Sequence, residues 1–197
     1  IETYAALTKE IEPETFKGDL AALTTLTLTD AQKRKFVAAL DGDVYDDLPK
    51  ARMALVLRLE SLVRAPGVQL QDAVSLEHVL PQTPPDGSDW IKWFPDEDER
   101  DGWTHRLANL VPLDRNKNSS ASNYDFAKKK DAYFRGKGTA SPFVLTQEVR
   151  SESEWTPTLL TARQKRLVNV LSTHWNLEIA ADNSLPAAAV TAGGLTS

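Results

Sequence analysis

The sequence predicts an α+β fold in which a strand–loop–strand–helix unit is embedded in a mainly helical domain. Helical periodicity dominates the first seventy residues, two Val- and Leu-rich runs interrupt it at 74–80 and 107–113, and an Asn- and Ser-rich turn leads from the second run into a helix. In chain order, Thr29 or Asp30 can cap a helix carrying Phe36, Val37 and Leu40, since a short oxygen-bearing side chain accepts from the free N–H groups of a first turn. A second helix after Pro49 sets Val56, Leu59 and Val63 on one stripe and stops at Pro66–Gly67, where a fixed φ meets a free one. Val74 to Leu80 mixes Val and Leu with Ser, Glu and His and is closed by Pro81, the texture of a strand. The loop that follows holds Pro84, Pro85, Gly87 and Pro95, yet its Trp90, Trp93, Phe94 and Trp103 are too many aromatics for disorder. Short packed helical turns are expected there. Leu107 to Leu113 is the second strand. Ser122 or Asn123 caps a helix over Tyr124 to Phe134, and Thr158 to Trp175 forms an amphipathic helix that buries Leu160, Leu167, Leu171 and Trp175. Beyond about Ala180 the large apolar residues thin out, and a disordered tail is expected. The implied organisation is a helical part over 1–70, a strand-bearing core over 71–138, a helical part over 139–178 and a tail over 179–197.

Composition bounds the function classes. The 197 residues suit one sizeable core, and the apolar fraction of 41% and charged fraction of 26% are those of an ordinary globular protein. No apolar run approaches the roughly 20 residues of a membrane helix, so no membrane partner is expected. The absence of cysteine removes disulfide frameworks, thiol nucleophiles and cysteine-ligated zinc, and suits a reducing, cytoplasmic setting. The chain opens at Ile1 without an initiator Met or a leader, which implies a missing upstream part. A net charge of -5 argues weakly against nucleic acid as a partner, but the charge is uneven. Acid gathers in Asp41 to Asp47 and Asp96 to Asp101, whereas Asp114 to Gly138 carries seven Lys or Arg against three Asp.

Three polar clusters lie on or beside the strand–loop–strand–helix unit: Glu77–His78, Asn109, and Asn116 through Asn123. Each alone has an ordinary explanation, as a solvated pair, a turn residue or a helix cap. Together they hold what phosphodiester hydrolysis requires, a base to deprotonate water and ligands for a cation that neutralises charge building on the phosphoryl oxygens. His78 can be the base, and Glu77 and Asn118 offer hard oxygen ligands that favour Mg2+ or Mn2+ over zinc. Adjacent strand residues point to opposite faces, so Glu77 and His78 can share a site only where the strand loosens, as Pro81 suggests.

The segment Leu76-Glu77-His78-Val79-Leu80-Pro81-Gln82 resembles the opening motif of HNH (ββα-metal) nucleases, and Leu107-Ala108-Asn109-Leu110-Val111-Pro112-Leu113 is similar to their second-strand motif. Asn118, nine residues after Asn109, falls where that family's last metal ligand sits. The stretch Asn118 to Lys129, with Asn123, Phe126 and Lys129, resembles more narrowly the C-terminal nuclease domain of GmrSD modification-dependent restriction enzymes.

This resemblance implies a two-stranded antiparallel hairpin plus helix with His78 as general base and Glu77 and Asn118 holding one divalent metal. Asn109 would join the catalytic group by bracing the strands and orienting the imidazole, and Lys129 would face a phosphate. Lys128, Arg115, Lys117 and Arg106 are expected DNA contacts, with Arg135 and Lys137 as helpers. Asn118 replaces a frequent third His, and Ala108 a frequent Gly. The implied activity is nicking of double-stranded DNA in antiviral defence, directed by an upstream nucleotide-hydrolysing sensor. A non-catalytic DNA-binding or protein-interaction module is the competing expectation, and RNA is a further substrate left open. His105 is expected to be a packing or surface residue, His174 to meet the end of its helix dipole, and most of the Trp residues to be core.

Overall fold

The computed structural model describes residues 9–10, 23–65, 74–114, 123–135 and 141–178. Within them lie helices α1 (Asp30–Asp41), α2 (Val44–Asp47) and α3 (Arg52–Val63), then strand β1 (Val74–His78). Helices α4 (Asp89–Trp93) and α5 (Glu97–Thr104) fill the long loop, and a 3-10 turn at Leu107–Asn109 leads into β2 (Leu110–Asp114). Helices α6 (Phe126–Arg135), α7 (Val144–Ser151) and α8 (Pro157–His174) complete the order. The architecture is α+β with a two-stranded antiparallel sheet, in which Glu77 pairs with Val111 and His78 with Leu110. No helix among the described residues is long and apolar enough to cross a membrane.

Local chemistry explains most boundaries. Thr29 caps α1 in a reciprocal box with Gln32, each side chain accepting from the other's backbone N–H. Asp43 caps α2, Asp96 caps α5, and Thr156 followed by Pro157 opens α8. At the other end of α8, Asn176 adopts φ 53°, and Leu177 N–H reaches back to the Ser172 carbonyl, a left-handed stop that only Gly and Asn adopt cheaply.

Both strands differ from the runs read in the sequence. β1 stops at His78 rather than Leu80, and Leu107 to Asn109 is a 3-10 turn rather than strand. The reason is Asn109, whose side chain takes over the backbone groups of Leu80 that the ladder would otherwise have paired. Helix α6 begins at Phe126, two residues later than expected, and α7 lies in the part expected to be helical over 139–178 but is a second helix there, ahead of the one read at 158–175.

One hydrophobic cluster joins Leu40, Val56, Leu59, Trp90, Leu110, Val111, Tyr133, Trp155, Leu160 and Leu167. Helices α3 and α7 pack on β2, while α8 packs on the 3-10 turn and on α1. Trp90 and Trp155 are wholly buried and Trp93, Trp103 and Trp175 are packed against the same cluster, so the tryptophans serve the core.

The buried carboxylate of Glu60 on α3 accepts from the first two N–H groups of α7, those of Val144 at 2.8 Å and Leu145 at 3.0 Å, where Phe143 supplies no side-chain cap. A negative charge at a helix N-terminus satisfies donors and complements the dipole. Glu60→Ala is expected to cost about 2 kcal/mol in urea unfolding. An unchanged midpoint would show that α7 does not depend on this cap.

Candidate active site

β1 ends on Glu77 and His78. As alternation requires, Glu77 and His78 leave the strand toward different neighbours, Glu77 toward α6 and His78 toward α2 and the turn after α5. Both nevertheless line one open cleft of about 260 Å³, with Pro81, Gln82, Thr83, Asn123 and Lys129. The cleft runs across the end of the strand, where pairing has just stopped, so opposite faces open on the same space.

On the first side, Glu77 Oε1 accepts from Lys129 Nζ at 2.8 Å and from the Tyr133 hydroxyl at 2.9 Å. The Lys129 ammonium also donates to the His78 carbonyl at 2.6 Å. Burial pushes the Glu77 carboxyl up and the Lys129 ammonium down from their ordinary values, and their mutual contact opposes both shifts. Burial and the neighbouring carboxylate together raise the Tyr133 phenol well above its usual range. Among the described residues no bond is made to Glu77 Oε2.

On the second side, the His78 ring stands edge-on to Tyr45, centroids 4.4 Å apart, and to His105 at 5.2 Å. Arg52 lies over the other part of this stack, 3.7 Å from the Tyr45 ring centre, and donates to the Tyr45 carbonyl at 2.7 Å. The Gln82 amide nitrogen is 3.3 Å from Nδ1 and 3.5 Å from Nε2 of His78. Burial first, then repulsion from His105, Lys129 and Arg52, lowers the His78 pKa to about 3. The ring is therefore neutral throughout the physiological range, the form that can accept a proton.

Asn109 is 0% exposed and fully committed. Its oxygen accepts from Leu80 N–H at 2.7 Å and from the Trp155 indole at 3.1 Å, and its amide donates to the carbonyls of Leu80 at 2.9 Å and Thr104 at 2.8 Å. Those bonds brace the chain two residues past His78. They do not include the imidazole, so Asn109 meets the His78 segment through its backbone. Helix α8 holds the same turn from behind, because Gln164 accepts from Ala108 N–H and Arg163 donates to the Ala108 carbonyl. Glu148 pairs with Arg163 there.

The expected DNA contacts fall in different places. Lys128 is exposed, with its ammonium 3.4 Å from the Tyr124 ring centre. Lys129 is 1% exposed and faces Glu77 rather than solvent, because Phe126, Lys129 and Tyr133 share the inward face of α6 at helical spacing. Arg106 stacks on Trp103 and lines a separate groove between α1 and α8. Asn118, Arg115, Lys117 and Lys137 lie outside the described residues, as does the expected tail over 179–197.

A family model described as "GmrSD restriction endonucleases, C-terminal domain" matches residues 29–170, well over half of the chain. The chain belongs to this family. No curated protein sequence matches it. The GmrSD match runs from the cap of α1 into α8, so every side chain of the cleft described above falls inside it.

Within this GmrSD domain, two donor sets could hold a cation. One is Glu77, whose Oε2 has no partner among the described residues, beside the cleft amides of Gln82 and Asn123. The other is Asp43, Asp46 and His105, whose ligand atoms lie within 4.8 Å of one another behind the His78 stack. Tyr45, Arg52, Gln82 and Tyr133 were not singled out from the sequence as site residues. Of these, Tyr133 carried a signal, since its spacing from Phe126 and Lys129 places it on one face with them.

Two outcomes follow. Asn109→Ala strips partners from several buried groups at once and is expected to lower stability by roughly 3 kcal/mol or more, with faster hydrogen exchange at the Leu80 amide. Ordinary exchange at Leu80 and an unshifted unfolding midpoint would contradict it. For His78 the folded-state pKa is depressed, so its contribution is complete above pH 6.5 and is lost as pH falls toward about 3, because the unfolded chain takes up a proton that the folded chain refuses. Between pH 7 and 5 this one group is expected to cost the folded state about 2 kcal/mol, and His78→Asn is expected to remove that dependence. Parallel pH profiles for the two proteins would rule the assignment out.

Proposed function

We propose that this domain is an HNH-type (ββα-metal) endonuclease that nicks double-stranded DNA with the help of Mg2+ or Mn2+. The observation that carries the reading is a buried imidazole held neutral at the lip of a cleft whose other wall is a carboxylate with one oxygen unengaged among the described residues. Membership of a restriction-endonuclease family supports it. So does the chain order of β1, β2 and α6, with α6 bonded to the carboxylate of β1.

The donors fit a hard divalent ion on one side. Glu77 is a carboxylate lining a polar cleft, and oxygen donors without cysteine suit Mg2+ or Mn2+. Asn118, outside the described residues, would be the second ligand. Such an ion supplies Lewis-acid stabilisation of the charge that gathers on the phosphoryl and leaving oxygens.

The protein's own groups do the rest. His78 accepts the proton of the attacking water, and its low basicity keeps it ready to do so even in mildly acidic solution. Tyr45 and His105 fix the plane of the ring. Asn109 fixes the backbone just beyond it. Lys128 offers an exposed cation for a flanking phosphate. Attack by water with departure of the 3′ oxygen leaves 5′-phosphate and 3′-hydroxyl ends. In the cell the domain would act in restriction of foreign DNA, under the direction of a nucleotide-hydrolysing sensor on the same polypeptide.

Supercoiled plasmid is expected to relax to the nicked form with Mg2+ or Mn2+ and to stay supercoiled with a chelator. His78→Ala and Glu77→Gln are each expected to lower the rate at least about a hundredfold, the usual scale of general-base and metal contributions. Plasmid retained on a gel but never cut would replace this reading with a non-catalytic binding module.

A further inference from the structure

Among the described residues, Lys129 is the one buried cation of the cleft. The residue is 1% exposed, its ammonium spends two of its three donors on Glu77 Oε1 and the His78 carbonyl, and it lines the same cleft as Glu77. Tyr133 shares the same carboxylate oxygen, so Glu77 is held from α6 by one charged and one neutral donor. A carboxylate already paired with an ammonium has little net charge left for a divalent ion, and two cations on one carboxylate repel each other strongly where water is scarce.

We propose that Lys129 keeps the Glu77 site weak for divalent metal until a DNA phosphate enters the cleft, so that metal and DNA load together. Lys129 is a positioning residue in this scheme: it fixes Glu77 with only Oε2 available and sets the electrostatic threshold for loading. An incoming phosphate brings the negative charge that lets ammonium and metal coexist on one carboxylate. By linkage, DNA tightens metal binding by the same factor that metal tightens DNA binding. The inference rests on the reading of Glu77 as a metal ligand.

The test is Mn2+ binding followed by the electron paramagnetic resonance of free Mn2+, at mildly alkaline pH so that a carboxylate freed of its partner stays ionised. Without DNA, wild-type protein is expected to bind Mn2+ weakly, Lys129→Met at least about tenfold more tightly, and Tyr133→Phe much as wild type, because only the lysine carries charge. In a His78→Ala background, which prevents cutting, a short DNA duplex is expected to tighten Mn2+ binding beyond what the duplex binds alone. That tightening is expected to shrink when Lys129→Met is added. Equal or weaker Mn2+ binding by a folded Lys129→Met protein would reduce Lys129 to a structural strut and overturn the proposal. If that variant does not fold, the absence of any DNA-induced tightening in His78→Ala overturns it. Glu77→Gln separates the two levels: Mn2+ binding indifferent to that change sinks the reading of Glu77 itself, whereas binding lost with Glu77→Gln but insensitive to Lys129 sinks only the coupling.

Discussion

The carboxamide of Asn109 is the constraint on which the cleft depends. By bonding both the N–H and the carbonyl of Leu80, it imitates one more rung of the β1–β2 ladder after the strand itself has ended. The chain is thereby free to turn away at Val79 without leaving buried backbone groups unpaired. Only a side chain with a donor and an acceptor in one rigid plane can do this. Asp would present two acceptors to a carbonyl, and Leu would present nothing. The same amide reaches Thr104 and Trp155, so the end of α5 and the segment before α8 are registered against the strand end by a single residue. Because the strand is cut off cleanly, side chains of opposite faces can serve one cavity.

Around that strand end the charges are arranged so that the His78 imidazole stays uncharged. His78 has three cationic or potentially cationic neighbours, Lys129, Arg52 and His105, and little solvent to stabilise a proton of its own. The neighbouring carboxylate, Glu77, is occupied by Lys129 and so does not act as the counter-charge that would raise the imidazole. A serine-protease style of histidine, hydrogen-bonded to an acid, gains basicity from its partner. Here the ring is held by aromatic edges instead, which fixes orientation without adding proton affinity. Such a base is weak in the ground state, and a nearby dianionic transition state would favour its protonation far more than the resting site does.

How far the sequence revealed this depends on whether a role is carried by a residue type or by a meeting of segments. The strand–loop–strand–helix order, the Thr29 cap and the long final helix were legible, because alternation, capping chemistry and 3.6-residue spacing are local properties. The ends of both strands were not, since they are set by a side chain that replaces ladder bonds from thirty residues away. Helix α7 was not legible as a helix of its own because its Val, Leu and Thr residues suit a strand as well as a helix, and its cap is Glu60, supplied by α3. Nothing around Tyr45 or Arg52 in the sequence gives either a role at the cleft. Their contribution exists only because α2 is brought against the end of β1. Lys129 was legible as a lysine of a basic run but not as a buried one. The run Lys128 to Lys130 looks like a solvated face until Phe126 and Tyr133 are counted with it, and then the middle lysine is on the inner stripe.

The acidity of the chain loses its weight as an argument against nucleic acid once the acids are located. Asp96 caps α5 and Glu97, Asp98 and Glu99 fill its first turn, while Asp43 caps α2 with Asp46 and Asp47 in the turn that follows. These carboxylates sit where free N–H groups and the positive end of a helix dipole require them, so much of their charge is answered locally. The two acidic runs of the sequence are largely helix-starting chemistry. At the cleft the balance is reversed, with Lys129 paired to Glu77, Lys128 exposed beside it and Arg52 behind the Tyr45–His78 stack. A net charge of -5 averages two unrelated uses of charge, and the field that a phosphate meets is set by the few groups within a Debye length of it.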